Sequence, residues 1–242
     1  MLLVMRIREG GLMAPVVVAF LSQKGGVGKS TLARALAALA TRSGVKVFVA
    51  DLDAQQKTIV HWHQRRTSRG IAPAIAVESS IDIDDALTAS EGCQLLVVDA
   101  SGRASAATLE IAKNAHVVVQ PTGAGLDDLH PGVLLFHELV GEGIPRERLI
   151  FALCRTSSKQ EESAAREYLE KAQYQVLPGS IPEQVTYRYA QNVGRAVTET
   201  DDAALNARAD EMLTGLLGKL KSEIDRLKVS APGKVRFTGS KT

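Results

Sequence analysis

The segment LSQKGGVGKS at residues 21–30 constrains this chain more than any other stretch. It follows a short apolar run at residues 16–20 and precedes a helix-forming run at residues 31–40. Glycines in such a loop let backbone N–H groups point inward, and the first turn of the helix adds unpaired N–H donors and the positive end of its dipole. The pattern predicts a strand, a glycine-rich loop and a helix that together bind phosphate groups.

Several residues of this loop have predicted contacts with a nucleotide. Lys29 is expected to reach the β- and γ-phosphates, and the Ser30 hydroxyl is expected to ligate Mg²⁺. The other predicted nucleotide-binding residues of the loop are Gly25, Gly26, Val27, Gly28 and Thr31. Gln23 stands where the usual pattern G-x-x-x-x-G-K-[ST] has its first glycine, and a second lysine, Lys24, comes directly after it.

Composition favours one large α/β domain, because 242 residues with 45% hydrophobic content can bury a sizeable core. The net charge of +2 comes from 29 basic and 27 acidic residues, so any DNA binding requires a local basic patch. Cys93 and Cys154 each adjoin an apolar run, which predicts buried, reduced thiols in a cytoplasmic protein and not a disulfide or a metal site. No apolar run approaches the roughly 20 residues that span a bilayer, so no stable membrane association is expected.

Apolar runs separated by helical patterns predict a mostly parallel, twisted sheet with helices on both faces. Ligands of such sheets bind beyond the carboxyl ends of the strands, which is where the glycine-rich loop falls. The predicted strands cover residues 16–21, 45–50, 74–77, 95–98, 116–120 and 149–153, with a weaker run at 175–177.

The last long helix is predicted at residues 201–228, with one apolar stripe that includes Leu213, Leu216 and Leu220. Packing against the sheet is the favoured interpretation, and a membrane-surface helix is the alternative. The domain organisation predicted from the sequence is a mobile extension at 1–13, one domain at 14–228 and a basic flexible tail at 229–242.

Three aspartates come after predicted strands at the edge that carries the loop. Asp53 is the candidate to polarise the attacking water, and Asp51 is the candidate to help order the water shell of Mg²⁺. The alternative for these two acids is capping of the next helix. Asp99 ends the apolar run LLVVD at 95–99, a pattern in which the carboxylate holds Mg²⁺ directly or through water.

Together, KGGVGKS at 24–30, DLD at 51–53 with Gln55 shortly after it, and LLVVD at 95–99 resemble the ParA-type partition ATPases. These belong to the deviant Walker-A class of P-loop NTPases, which also includes MinD. A third block, IPEQV at 181–185 with GRAV at 194–197, is similar to the late segment of the family, in which proline lines the adenine; this implies nucleotide contact by Pro182. The length is similar to the short members that have no amino-terminal DNA-reading domain.

The resemblance implies a homodimer with ATP sandwiched between two protomers, in which Lys24 reaches the phosphates bound by the other protomer. It also implies weak, partner-stimulated, Mg²⁺-dependent ATP hydrolysis. The catalytic residues implied are Lys24, Lys29 and Asp53, and the metal-binding residues are Ser30, Asp51 and Asp99.

The resemblance further implies non-specific DNA binding, a nucleoid-associated location, and a ParB-like or cargo adaptor protein that helps to position a plasmid, a chromosomal locus or a protein cargo. A MinD-like membrane-surface ATPase and an enzyme of the same branch, such as an iron–sulfur carrier, are the alternatives. The candidate DNA-binding residues are Arg188, Arg195, Arg208, Lys219 and Lys221, with Lys234 and Arg236 of the tail.

Overall fold

Among the residues that the structure describes, eight parallel strands form the central sheet. The computed structural model describes residues 14–102 and 106–230, with side chains to residue 226. The predicted extension at 1–13 lies outside these residues, and so do the tail residues Lys234 and Arg236. The strands are β1 (Val16–Phe20), β2 (Val47–Asp51), β3 (Ala76–Ser79), β4 (Leu95–Asp99), β5 (Val117–Thr122), β6 (Leu149–Thr156), β7 (Gln175–Val176) and β8 (Ile181–Pro182).

The strand order is β3-β2-β4-β1-β5-β6-β7, with β8 paired to β6, and every pairing is parallel. This confirms the predicted α/β class with a parallel sheet. The structure adds β8, which the sequence did not reveal because a two-residue strand containing proline has no periodic signal. It also extends β6 to Thr156, beyond the predicted end at residue 153.

Helices cover both faces of the sheet. They are α1 (Lys29–Arg42), α2 (Thr58–Ser68), α3 (Ile83–Ala89), α4 (Ala106–Asn114), α5 (Leu126–Gly141), α6 (Lys159–Lys171), α7 (Val185–Asn192) and α8 (Ala203–Ser230), with a short 3₁₀ helix at Arg146–Arg148. Helices α1, α2, α7 and α8 contribute to the core on one face, and α3 to α6 contribute to the core on the other.

The strands are buried on both faces because their side chains alternate between two cores. In β1, Val18 and Phe20 join the core with α1, whereas Val17 and Ala19 join the core with α5. A strand covered on both sides must be apolar at every position, which explains the continuous apolar runs in the sequence.

Helix α8 packs its apolar stripe against the sheet, as predicted. Met212, Leu213, Leu216 and Leu220 are each at most 1% exposed within the core that also contains α1. The helix continues to Ser230, two residues beyond its predicted end at 228. Among the described residues, no helix combines the length and the apolar content needed to cross a bilayer.

Candidate functional site

The carboxyl ends of three adjacent strands bring the predicted site residues together. In the register of the sheet, Asp99 of β4 lies beside Phe20 of β1 on one side and beside Asp51 of β2 on the other. The glycine-rich loop leaves β1 directly after Phe20. The loop and the acids at the ends of β2 and β4 therefore share one edge, as the sequence predicted.

Two glycines of the loop have backbone conformations that side chains disfavour. Gly26 has φ of 75° and Gly28 has φ of 114°. A β-carbon on Gly28 would also lie 3.1 Å from the sulfur of Cys154, so the loop packs closely on β6. Gly28 precedes α1 without a side-chain cap, which leaves the first N–H groups of the helix available to an anion.

Lys29 is held inside this loop. The residue is only 9% exposed, and its Nζ donates to the carbonyl oxygens of Lys24 at 3.0 Å and Ser22 at 3.5 Å. Burial lowers the pKa of Lys29, while the nearby carboxylates of Asp99 and Asp53 oppose that shift. A buried cation among carbonyl dipoles is suited to binding an anionic ligand.

Asp99 is a buried acid with a raised pKa. It is 2% exposed, and one carboxylate oxygen, Oδ1, has no hydrogen-bond partner among the described residues. Burial raises its pKa to about 7, and the carboxylate of Asp51 adds to this, whereas a hydrogen bond with Ser30 and the charges of Lys29 and Arg34 act against it. An orphaned carboxylate oxygen close to the Ser30 hydroxyl fits the oxygen ligands that Mg²⁺ prefers.

Asp51 has different surroundings, although it is also fully buried. Its Oδ2 accepts hydrogen bonds from the backbone N–H groups of Ile59 at 2.9 Å and Val60 at 3.3 Å. Its Oδ1 accepts from the N–H of Asp53 at 3.1 Å. These contacts cap the first turn of α2, which was the alternative interpretation from the sequence; a contribution of Asp51 to a metal site stays a prediction.

Asp53 lies in the turn that joins β2 to α2. Its Oδ1 accepts from the N–H of Gln56 at 3.0 Å, and its backbone oxygen accepts from the N–H of Lys57 at 2.8 Å. The carboxylate is half-buried, and its charge opposes the burial that lowers the pKa of Lys29. Asp53 thus lies near the phosphate loop while it organises the start of α2.

Lys24 makes an ion pair that the sequence did not reveal. Its Nζ lies 2.6 Å from Oδ1 of Asp128, in the first turn of α5, and the two side chains are 40% and 28% exposed. Gly123 makes room for this carboxylate, because a β-carbon there would overlap Asp128. The available signal was an acid in the first helical turn after a glycine-containing turn at residues 123–125.

Gln191 connects α7 to α1, the helix that follows the glycine-rich loop, and Arg34 connects α1 to α2. Gln191 Oε1 accepts from Thr31 Oγ1 at 3.1 Å and from Arg34 Nη1 at 2.9 Å, and Arg34 Nη2 donates to the carbonyl oxygen of Thr58 at 2.8 Å. Burial lowers the pKa of Arg34 to about 10, while Asp99 opposes the shift. An arginine within the apolar run of α1 was the signal that sequence reasoning missed.

Pro182 lies at the same edge of the sheet, in β8, beside Thr156 at the end of β6. The candidate DNA-binding residues are spread over α7, α8 and the turn between them. Four of the five form ion pairs: Arg188 with Glu183, Arg195 with Asp201, Arg208 with Glu162, and Lys219 with Glu223. Lys221 is exposed.

The fold of this chain is similar to the folds of several solved structures. MinD of Aquifex aeolicus superposes with a TM-score of 0.66 at 16% identity, covering 84% of this chain and 97% of its own. A plasmid partition protein of Borrelia burgdorferi bound to AMPPNP gives 0.65 at 18% identity, covering 85% and 99%. MinD of Pyrococcus horikoshii with Mg-ADP gives 0.61 at 16% identity, covering 88% and 97%.

No curated protein matches the chain significantly. The family described as the CobQ/CobB/MinD/ParA nucleotide binding domain matches residues 18–197, which include the loop, the three aspartates and Pro182. This match covers most of the chain and includes each element that forms the site. The chain therefore belongs to the family of CobQ/CobB/MinD/ParA nucleotide binding domains.

Proposed function

We propose that this protein is a Mg²⁺-dependent ATPase that binds ATP between two copies of the chain. The observation that carries the proposal is Oδ1 of Asp99, which has no hydrogen-bond partner in the part of the chain that the structure describes. Asp99 is only 2% exposed and lies next to Ser30 and Lys29. A buried acceptor without a partner costs free energy unless a ligand uses it. The AMPPNP and Mg-ADP of two relatives support adenine nucleotide and Mg²⁺ as the ligands.

Ser30 and Asp99 would hold the Mg²⁺, with Asp51 ordering its water shell. The bound ion would neutralise the charge that develops on the phosphate oxygens. The loop N–H groups and Lys29 bind the phosphates, and Pro182 contacts the adenine. Asp53 orients the attacking water, because it is the acid near Lys29 whose carboxylate is not fully buried.

Lys24 has a separate role in this proposal. In the monomer its cation is neutralised by Asp128, and in the dimer it moves to the phosphates bound by the other protomer. A half-exposed ion pair is worth only about 0.2–1 kcal/mol, so a triphosphate can displace Asp128 as the partner of Lys24. ATP then stabilises the dimer by mass action, and loss of the γ-phosphate releases it.

We extend the proposal to DNA and to a partner. The dimer binds DNA without sequence preference, and a ParB-like or cargo adaptor protein stimulates its weak hydrolysis. The cycle positions a plasmid, a chromosomal locus or a protein cargo on the nucleoid. Family membership and the likeness to a plasmid partition protein support this extension.

The test compares three variants by calorimetry and light scattering with ATP and Mg²⁺. Lys29→Ala should weaken nucleotide binding at least tenfold. Lys24→Ala should retain binding within about threefold and lose ATP-dependent dimers, while the exposed Lys159→Ala serves as the control and behaves like the natural chain. If Lys24→Ala dimerises with ATP as strongly as the natural chain, ATP is not bound between two protomers through Lys24. If the natural chain binds no nucleotide, the proposal as a whole is wrong.

A further inference from the structure

The segment at residues 54–77 contains no Asp or Glu, in a chain with 27 acidic and 29 basic residues overall. It covers α2 and both of its flanks, and it carries Lys57, Arg65, Arg66 and Arg69. Because the net charge of the whole chain is only +2, this segment is a strong local excess of positive charge.

Helix α2 is held firmly by its buried side. Ile59 and Trp62 are fully buried, and the Trp62 indole donates to the carbonyl oxygen of Arg195 at 2.9 Å. Arg66 is 1% exposed and makes a two-pronged ion pair with Glu199, at 2.7 and 3.0 Å. The charge of Arg66 is thus neutralised inside the molecule, and the helix presents its other cations from a rigid support.

Lys57, Arg65 and Arg69 form what we call the α2 basic surface. None of the three makes an ion pair with a residue that the structure describes, in contrast to four of the five basic residues considered on α7, α8 and the turn between them. Lys57 and Arg69 are exposed, and Arg65 is half-buried with its Nε unpartnered in the described chain. Their charge is therefore not balanced from within the described residues.

Local structure does not account for Lys57. Arg65 and Arg69 lie at the carboxyl end of α2, where a cation stabilises the helix dipole, but Lys57 occupies the opposite end, where a cation is unfavourable. Lys57 also has a left-handed backbone, with φ of 45°, and makes no side-chain cap. A cation at the start of a helix and a left-handed backbone outside glycine are both unfavourable. Because no local side-chain contact of Lys57 offsets them, they indicate a functional role.

We propose that the α2 basic surface binds the phosphates of duplex DNA; this inference rests on the DNA binding proposed above. Lys57 and Arg69 are separated by about 18 Å along a helical path, which matches roughly five base pairs of duplex. An anionic membrane is the weaker fit, because lipid-surface helices insert apolar side chains and the large apolar side chains of α2, Ile59 and Trp62, are buried in the core.

The position of Lys57 links this surface to the nucleotide. Its N–H donates to the backbone oxygen of Asp53, and the N–H of Gln56 donates to the carboxylate of Asp53. A ligand that changes the position of Asp53 therefore moves the turn that carries Lys57. This connection explains how DNA binding by the surface would depend on ATP.

The test measures binding of a fluorescent duplex of mixed sequence by anisotropy, with Mg²⁺ and a non-hydrolysable ATP analogue, over a range of salt. The test variant combines Lys57→Gln, Arg65→Gln and Arg69→Gln. We expect at least a tenfold loss of affinity. The slope of log affinity against log salt should become less negative by about 2.7, since each of the three phosphate contacts contributes about −0.9. ATP-dependent dimers should persist.

The matched control combines Arg188→Gln, Arg195→Gln and Lys171→Gln. It removes the same number of positive charges, but from cations that form ion pairs, on α7, in the turn after it and on α6. It should lose less than threefold in affinity. If the control loses DNA and the test variant keeps it, the inference is wrong while DNA binding stands. If the natural chain dimerises but binds only vesicles containing anionic lipid, both the inference and the proposed DNA binding are wrong.

Discussion

The ends of β2 and β4 carry the same residue at the same level of the sheet, yet they use it differently. Asp51 and Asp99 are register partners, and both are at most 2% exposed. Both oxygens of Asp51 accept hydrogen bonds from backbone N–H groups, whereas Oδ1 of Asp99 has no partner in the described chain. Backbone hydrogen bonds thus occupy the carboxylate of Asp51, whereas Oδ1 of Asp99 is available to a ligand.

The difference arises from the segment that leaves each strand. After β2, the chain turns directly into α2, whose first N–H groups need acceptors. After β4, the chain passes Gly102, where a β-carbon would lie 3.4 Å from Nζ of Lys29. The described part of this segment, residues 100–102, gives Oδ1 of Asp99 no hydrogen-bond donor. The same side chain therefore caps a helix after β2 and is available to a ligand after β4.

The largest expected effect is a difference in unfolding free energy between variants of Asp51 and Asp99. Asp51→Ala should lower the free energy of unfolding by about 3 kcal/mol, because three backbone donors lose their acceptor. Asp99→Ala should destabilise the chain much less, because no backbone N–H of the described chain donates to this carboxylate and its loss also removes a buried charge. Urea unfolding of the two variants at pH 7.5 measures the contrast, and equal losses would remove the distinction between the strand ends.

A second prediction concerns pH and Asp99 alone. Its pKa rises from 3.8 to about 7 on folding, so between these values the unfolded chain carries the charge and the folded chain does not. Asp99 therefore lowers stability progressively as pH rises from about 4 to 7, and the loss is constant above that range. Asp99→Asn should gain a few kcal/mol of stability at pH 8 and almost none at pH 4.

Urea titrations of the natural chain and Asp99→Asn at both pH values would measure this gain. Asp51→Asn provides the control, because it keeps one acceptor for α2 and should be destabilised at both pH values. A gain for Asp99→Asn that does not depend on pH would contradict the assignment of the raised pKa to this carboxyl.

The smallest effect concerns a third acid, Asp128, which lies beyond β5 in the chain. Its ion pair with Lys24 is partly exposed, so Asp128→Asn should change stability by less than about 1 kcal/mol. The substitution should nevertheless raise ATP-dependent dimerisation about threefold, because Lys24 no longer leaves a charged partner. Light scattering against ATP concentration measures the shift, and weaker dimerisation would indicate that Asp128 supports the dimer rather than the monomer.

Much of the fold could be predicted because its signals are local. Parallel strands buried on both sides need continuous apolar runs, and the loop needs glycines at positive φ, here Gly26 and Gly28. The apolar stripe of α8 likewise predicted its packing. The strand β8 has no such local signal, since it exists only through its pairing with β6.

The sequence predicted which residues lie together at the edge of the sheet that carries the glycine-rich loop, but it did not predict their contacts. The hydrogen bonds of Gln191 with Thr31 and Arg34 join residues 160 and 157 positions apart, and Lys24 and Asp128 are 104 positions apart. No spacing rule reaches across such distances, because the sheet order decides which loops become neighbours. The acids at 51 and 99 show the same limit: their positions were clear, and their hydrogen-bond partners were not.

The sequence alone determined that this chain forms a parallel sheet with a phosphate loop at its carboxyl edge, because glycine conformation, apolar periodicity and helix polarity act within a few residues. Only the tertiary structure decided which carboxylate is free for a ligand, where Lys24 rests, and which cations of the described chain lack a partner. Those outcomes depend on burial and on hydrogen bonds between distant segments, and both exist only after the layers have packed.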